Sequence, residues 1–190
     1  MTKTMAMIGE NISRVSVASA SEADAEELIR ANLCSQSLHL PWVKSFTDQE
    51  GFDAWMQRLA VPTHLGFVVR ERKDHSIVGI VNLNEIVRGA FQNAYLGYYA
   101  MAGKTGRGLM AEALCAVLSI AFTDVKLHRV EANVQPENYS SIAIVQRIGF
   151  RLEGFSSRYL FIDGAWRDHQ RWAITAEEFS CQISRDDMIR

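Results

Sequence analysis

Apolar residues along this chain switch between two periods, and the switches mark its elements. Residues 12–18 alternate with β-branched side chains and predict a first strand. Ser21 then caps a helix expected over 22–34, with Asp24 near its positive end and Leu28, Ile29 and Leu33 as its apolar side. Pro41 excludes helix from the loop at 37–42. Asp48 opens a second helix with Phe52, Trp55, Met56 and Leu59 at helical spacing, and Pro62 ends it. Two strands, 64–71 and 77–87, flank the polar turn 72–76, and 95–101 is apolar on both faces, as a covered strand should be. Helical spacing returns at Leu109, Ala113, Ala116, Val117 and Ile120. A valine-rich strand at 128–134 leads to a short helix at 138–148, with Ile142, Val145 and Ile148 inward and Gly149 as its stop. Strands at 150–162 and 165–174 close the chain around Asp163-Gly164, a hairpin-turn signal.

This order predicts a mixed α/β domain built on one sheet. A single domain is expected over 12–180, with short tails at 1–11 and 181–190. With 48% hydrophobic and 22% charged residues the chain resembles an ordinary globular protein. A net charge of -2 gives no reason to expect nucleic acid as partner, and no run of 18 apolar residues predicts a membrane span. Cys34, Cys115 and Cys181 show neither metal spacing nor a disulfide framework. The expectation is therefore no metal and a reducing cytoplasm, with Cys115 in the core.

Between the strand at 95–101 and the helix from Leu109 lie Gly103, Gly106 and Gly108, with Lys104 and Arg107. Glycines let a backbone turn sharply and approach a ligand, and a helix starting there aims unpaired N–H groups and its positive end at one point. That is an anion site suited to a diphosphate; the plainer reading is an ordinary glycine-bearing loop. The segment lacks the Gly-Lys-Ser/Thr of a nucleotide P-loop and a complete G-x-G-x-x-G.

The pattern Thr105-Gly106-Arg107-Gly108-Leu109-Met110, after Gly97-Tyr98-Tyr99 and before Ala111-Glu112-Ala113-Leu114, resembles the acetyl-CoA loop of the GNAT acetyltransferases. Pro136-Glu137-Asn138-Tyr139-Ser140-Ser141, then Gln146-Arg147-Ile148-Gly149-Phe150, is similar to that superfamily's Asn-x-x-Ser helix ending in Gly-Phe. Val87-Arg88-Gly89, Tyr95-Leu96-Gly97-Tyr98 and Tyr159-Leu160-Phe161-Ile162-Asp163-Gly164-Ala165-Trp166-Arg167-Asp168-His169 resemble the branch that acetylates the N-terminal alanine or serine of ribosomal proteins. The resemblance covers roughly residues 12–180. Thr105 stands where Gln or Arg often opens the loop, and Met110 where Gly or Ala is common. Backbone N–H groups do most of the anchoring, so cofactor binding should survive both.

The resemblance implies a mostly antiparallel sheet flanked by helices, whose strands 94–101 and 128–134 splay apart to hold acetyl-CoA. It implies direct transfer to a primary amine, either a protein N-terminus (ribosomal, in the nearest branch) or a small amine such as a polyamine, amino sugar or amino acid. A regulatory module that binds the cofactor without turnover is the remaining alternative. Expected cofactor contacts are Tyr99, Met101, Lys104, Gly106, Arg107, Gly108, Leu109, Met110, Ala111, Asn138 and Arg147. Ser141 is expected to hydrogen-bond the departing thiolate, or Ser140 if the register slips by one. Glu85 is the expected general base, with Asp168 and His169 as alternatives. Trp42, Arg88, Tyr98, Tyr159 and Asp168 are expected around the acceptor, and Trp166 is a further aromatic candidate there.

Overall fold

A computed structural model describes residues 13–180; the expected tails, Ile12 and Cys181 lie outside the described residues. In chain order the elements are β1 (Val15–Ser19), a 3-10 turn (Glu22–Asp24), α1 (Ala25–His39), α2 (Gln49–Leu59), β2 (Leu65–Glu71), β3 (Ile77–Val87), β4 (Asn93–Ala100), α3 (Leu109–Thr123), β5 (Arg129–Val134), α4 (Tyr139–Arg147), β6 (Arg151–Ile162) and β7 (Ala165–Thr175). Among the described residues seven strands form one sheet in the order β1-β2-β3-β4-β5-β7-β6. Neighbours are antiparallel except β4 and β5. One face is covered by α3 and α4, where Leu114, Val117 and Val145 pack on Val81, Ala94 and Val130. The other is covered by α1 and α2, where Leu28, Phe52 and Trp55 pack on Val68 and Ile80. This is the expected mixed α/β architecture. Among the described residues no helix is long and apolar enough to cross a membrane.

Helix α1 runs five residues past the expected end. Its buried positions are Leu28, Asn32, Ser35 and His39, so the inward stripe turns polar after Leu28 and the apolar period fades. Leu33, expected inward, is 49% exposed. Arg70 on β2 fastens the start of this helix, reaching Asp24 at 2.9 Å and Glu27 at 2.6 Å. The cysteine expectation also needs correcting: Cys115 is disulfide-bonded, while Cys34 is exposed and free. Spacing along a chain does not reveal a pairing that only the fold brings about.

Two features position the site. First, β4 and β5 are in register only at Asn93↔Arg129, Ala94↔Val130 and Tyr95↔Glu131. Beyond Tyr95 they part, as the resemblance implied. Second, the loop before α3 turns on left-handed backbone, with φ 71° at Gly106 and 74° at Gly108, a conformation that costs residues with a Cβ about 1–2 kcal/mol.

The loop is braced from behind. The buried carboxylate of Glu71, at the end of β2, receives Arg107 at 2.5 and 3.1 Å and Lys104 at 2.7 Å. On the other side Arg14 donates to the Arg107 carbonyl at 2.8 Å and pairs with Glu112, in the first turn of α3, at 2.6 Å. Arg107 first, then Lys104, holds the Glu71 carboxyl down at about 2.

Two outcomes follow from this packing. In denaturant titrations Leu28→Ala should lose about 2–5 kcal/mol, because Leu28 is fully buried, while Leu33→Ala stays within about 0.5 kcal/mol; comparable losses would refute the observed face of α1. A depressed carboxyl stabilises the fold above its ordinary value near 4.5 and loses that contribution as pH falls toward 2. The stability gap between wild type and Glu71→Gln should therefore be constant above about pH 5 and shrink below it. A gap still flat near pH 2.5 would sink the clamp.

Candidate active site

Where β4 and β5 part, a cavity of about 650 Å³ opens through the sheet. Tyr98 packs with the α3–α4 cluster and Tyr99 with the α1–α2 cluster, so the slot has two chemically different sides. At one end Lys104, Gly106, Gly108, Leu109, Met110 and Ala111 line it. Glu112 N–H bonds back to the Gly108 carbonyl at 3.2 Å, and the N–H groups of Leu109, Met110 and Ala111 precede the first full turn. A Cβ at Gly106 would meet nothing within 4 Å, so the space beside the turn is open. Unpaired donors, the helix's positive end and open space together fit an anion of diphosphate size.

On the α3–α4 side, Asn138 caps α4 by accepting the Ser141 N–H at 3.1 Å. Ser141 Oγ lies 2.6 Å from the Tyr98 hydroxyl, whose pKa burial pushes up to about 12. Ser141, Asn138, Arg147 and Ser140 all line the slot, as does Trp42 opposite. Tyr98, expected near the acceptor, faces Ser141.

Other expected residues lie elsewhere. Met101 is buried in the α1–α2 cluster, and Arg107 is turned to Glu71; neither lines the cavity. Arg88 donates to the Val125 carbonyl at 2.5 Å, just beyond α3. Glu85 sits at the β3 bulge with φ 50° and a side chain 68% exposed, 3.6 Å from His64, and does not line the slot. Its neighbours in the strand point inward, and the bulge rotates it to solvent. Asp168 is exposed and accepts the Arg158 N–H at 2.7 Å. Tyr159 stands behind the slot, its ring 6.1 Å from His169, and Trp166 is 61% exposed against Phe161.

Several lining groups escaped the sequence reading. A second cavity of about 530 Å³ adjoins the first through Val43, Gly97, Tyr98 and Tyr99. Its walls carry Lys44, Arg58, His64, Asn82, Asn84 and Asp48. Asp48 is occupied capping α2 through Gly51 N–H at 2.8 Å, and Asn82 accepts from Trp55 at 3.1 Å. Asn82 and Asn84, polar residues two apart in an apolar strand, were the available signal. Two buried histidines also line the slot. His39 uses both nitrogens: Nε2 donates to the Ala100 carbonyl at 2.9 Å, and Nδ1 accepts from Ser45 at 2.9 Å. His169 donates from Nδ1 to the Arg167 carbonyl at 3.0 Å. Burial lowers the basicity of both rings.

Comparison with known proteins agrees with this geometry. Residues 14–151 match the family model described as an acetyltransferase (GNAT) domain. The chain is 38% identical over 120 residues to a probable N-acetyltransferase, YjcK, of Bacillus subtilis, covering 63% of this chain and 66% of that protein. It is 39% identical over 107 residues to the ribosomal protein uS5-alanine N-acetyltransferase of Escherichia coli, covering 56% of this chain and 55% of that enzyme. The matched stretches thus span between half and two thirds of these curated relatives. The structure of Mycobacterium smegmatis RimJ in complex with CoA-disulfide superposes with a TM-score of 0.78 at 34% identity, covering 88% of this chain and 85% of that one. A ribosomal-protein-S5-alanine acetyltransferase from Vibrio fischeri gives 0.79 at 26% identity, over 90% of this chain and 97% of that one. The chain belongs to the GNAT acetyltransferase family.

Proposed function

We propose that the protein transfers an acetyl group from acetyl-CoA directly to the N-terminal α-amine of a protein, a ribosomal protein in the reading its relatives favour. The observation that carries the transfer is the single slot through the sheet, with an anion-binding helix start at one end and the Ser141–Tyr98 pair on its wall. Acetyl-CoA would supply an acyl group already activated as a thioester. Backbone N–H groups from Gly106 to Ala111 hold its diphosphate, because Lys104 and Arg107 are committed to Glu71. Asn138, Arg147 and Tyr99 wall the remainder of the slot. Ser141, steadied by Tyr98, hydrogen-bonds sulfur as negative charge gathers there. Among the described residues no cysteine lines the slot, which supports direct transfer without an acetyl-enzyme.

The acceptor assignment rests on charge. The second cavity carries Lys44 and Arg58, and its one carboxylate, Asp48, is already engaged. Such walls repel a polycation and suit a chain that carries a single amine. An α-amine, with an ordinary pKa of about 7.7–8.0 against about 10.4 for lysine, also has more neutral nucleophile near pH 7. Trp42 reaches the slot and remains the acceptor contact we retain from its neighbourhood.

Thiol release from acetyl-CoA, with product mass spectrometry, should show turnover on peptides beginning with alanine or serine and none on spermidine. Turnover confined to small amines would overturn the acceptor while keeping the fold and co-substrate. Gly108→Asp places a carboxylate in the anion site at a left-handed position that Asp tolerates better than most residues. Acetyl-CoA affinity, measured by calorimetry, should fall by about tenfold to a hundredfold with the fold retained; unchanged affinity would refute the loop assignment.

A further inference from the structure

We propose that His169 is the proton acceptor for the incoming amine, an assignment that rests on the acetyl-transfer reading above but not on which amine is used. His169 lies on β7, 2% exposed overall yet lining the slot. The pairing Asn133↔Arg171 puts Asn133, Arg171 and His169 on one face of the sheet. That is the face opposite Trp172 and Ile174, which pack with the α3–α4 cluster, whereas Ser141 belongs to α4.

Its tautomer is fixed by elementary chemistry. A backbone carbonyl only accepts, so the 3.0 Å contact with Arg167 requires the hydrogen on Nδ1. Nε2 then carries the lone pair, and among the described residues it has no hydrogen-bond partner. His39 is the internal comparison: equally buried on the same slot, it has both nitrogens engaged and braces Ser45 and the end of β4. Asn133 Oδ1, buried beside His169, is a second acceptor without a donor. Two unmet acceptors on one wall call for a ligand rich in N–H donors, which an amine is.

Burial keeps the ring neutral near pH 7, while Asp168 and the Arg167 carbonyl act in the opposite direction. The other groups around it are Tyr159 on β6, bonded to Tyr95, and Arg171 and Glu131 on the same face, with Glu131 paired to Arg129 at 2.9 Å. In the transfer the nitrogen lone pair forms the C–N bond and the C–S pair departs with sulfur, hydrogen-bonded by Ser141. The proton leaving nitrogen goes to Nε2 and later to water.

The test reads kcat/KM for an alanine-leading peptide against pH at saturating acetyl-CoA. Both the acceptor ammonium and His169 must lose a proton, so log kcat/KM in the wild type should have a slope of about 1 near pH 6.5 and steepen toward about 2 as pH falls through the lowered His169 value. His169→Gln should lower kcat/KM by about 10²–10⁴ and reduce the slope to about 1, with acetyl-CoA affinity unchanged. A wild-type slope that stays at 1 as pH falls, or a variant that keeps slope 2, overturns the proposal; the wild-type profile decides even if the variant does not fold. Should only a small amine turn over, the same profile on that amine separates this proposal from the acceptor assignment. Imidazole ¹⁵N shifts of the CoA-bound wild type need no acceptor: hydrogen on Nδ1 alone at pH 7 is expected, and hydrogen on Nε2 would overturn the assignment.

Discussion

The structure depends on a sheet that stops being a sheet halfway along one strand pair. β4 and β5 share three registered pairs and then diverge, although β4 continues to Ala100 and β5 to Val134. Their outer edges stay paired, β4 with β3 and β5 with β7, so the separation opens only the inner edges. Backbone polar groups buried without a partner are costly unless something bonds them. One is met internally, the Ala100 carbonyl by His39. The others require a ligand with amides of its own, as the arm of acetyl-CoA has. The parting also joins the two faces, so a ligand held against α3 and one entering from α1 and α2 can meet inside the domain.

The loop at the end of the slot owes its shape to constraints outside itself. Left-handed backbone at Gly106 and Gly108 permits the turn, but permission is not rigidity, since glycine carries the largest backbone entropy. Glu71 and the Arg14–Glu112 pair supply what the glycines lack, gripping Lys104 and the Arg107 side chain and carbonyl from behind. Two cations that look like phosphate ligands in the sequence act instead as struts. Because they face Glu71, anchoring falls to backbone N–H groups, whose direction is set by the fold rather than by flexible side chains.

The elements set by local chemistry were legible. The hairpin at Asp163-Gly164 has positive φ at both residues, 47° and 74°, as its type requires, and α2 starts on Asp48 as its capping signal says. The Ser141 N–H bond to Asn138 is likewise a spacing effect within one helix start. What escaped depends on distant partners. Nothing near Glu71 announces that residues 33 and 36 positions later will close on it. The polar stripe of α1 hid its last turn, because Asn32, Ser35 and His39 carry no hydrophobic signal although they are buried. Glu85 stood out as a carboxylate near the end of a central strand, but a bulge turns it to solvent, and Arg88 is spent on a carbonyl at the far end of α3.

Proton traffic gives the two faces of the slot their meaning. The hydroxyls of Tyr98 and Ser141 lie together on the α3–α4 side, where both can donate. On the opposite side His169 and Asn133 present acceptors, in an order set by alternation along β5 and β7. Transfer from a thioester to an amine asks for this polarity, a donor where sulfur departs and an acceptor where nitrogen arrives. A strand turns successive side chains to opposite faces, so Tyr98 and Tyr99 necessarily address different halves of the reaction. The separation of roles is thus a property of the pleat, and a one-residue slip of β4 would reverse it.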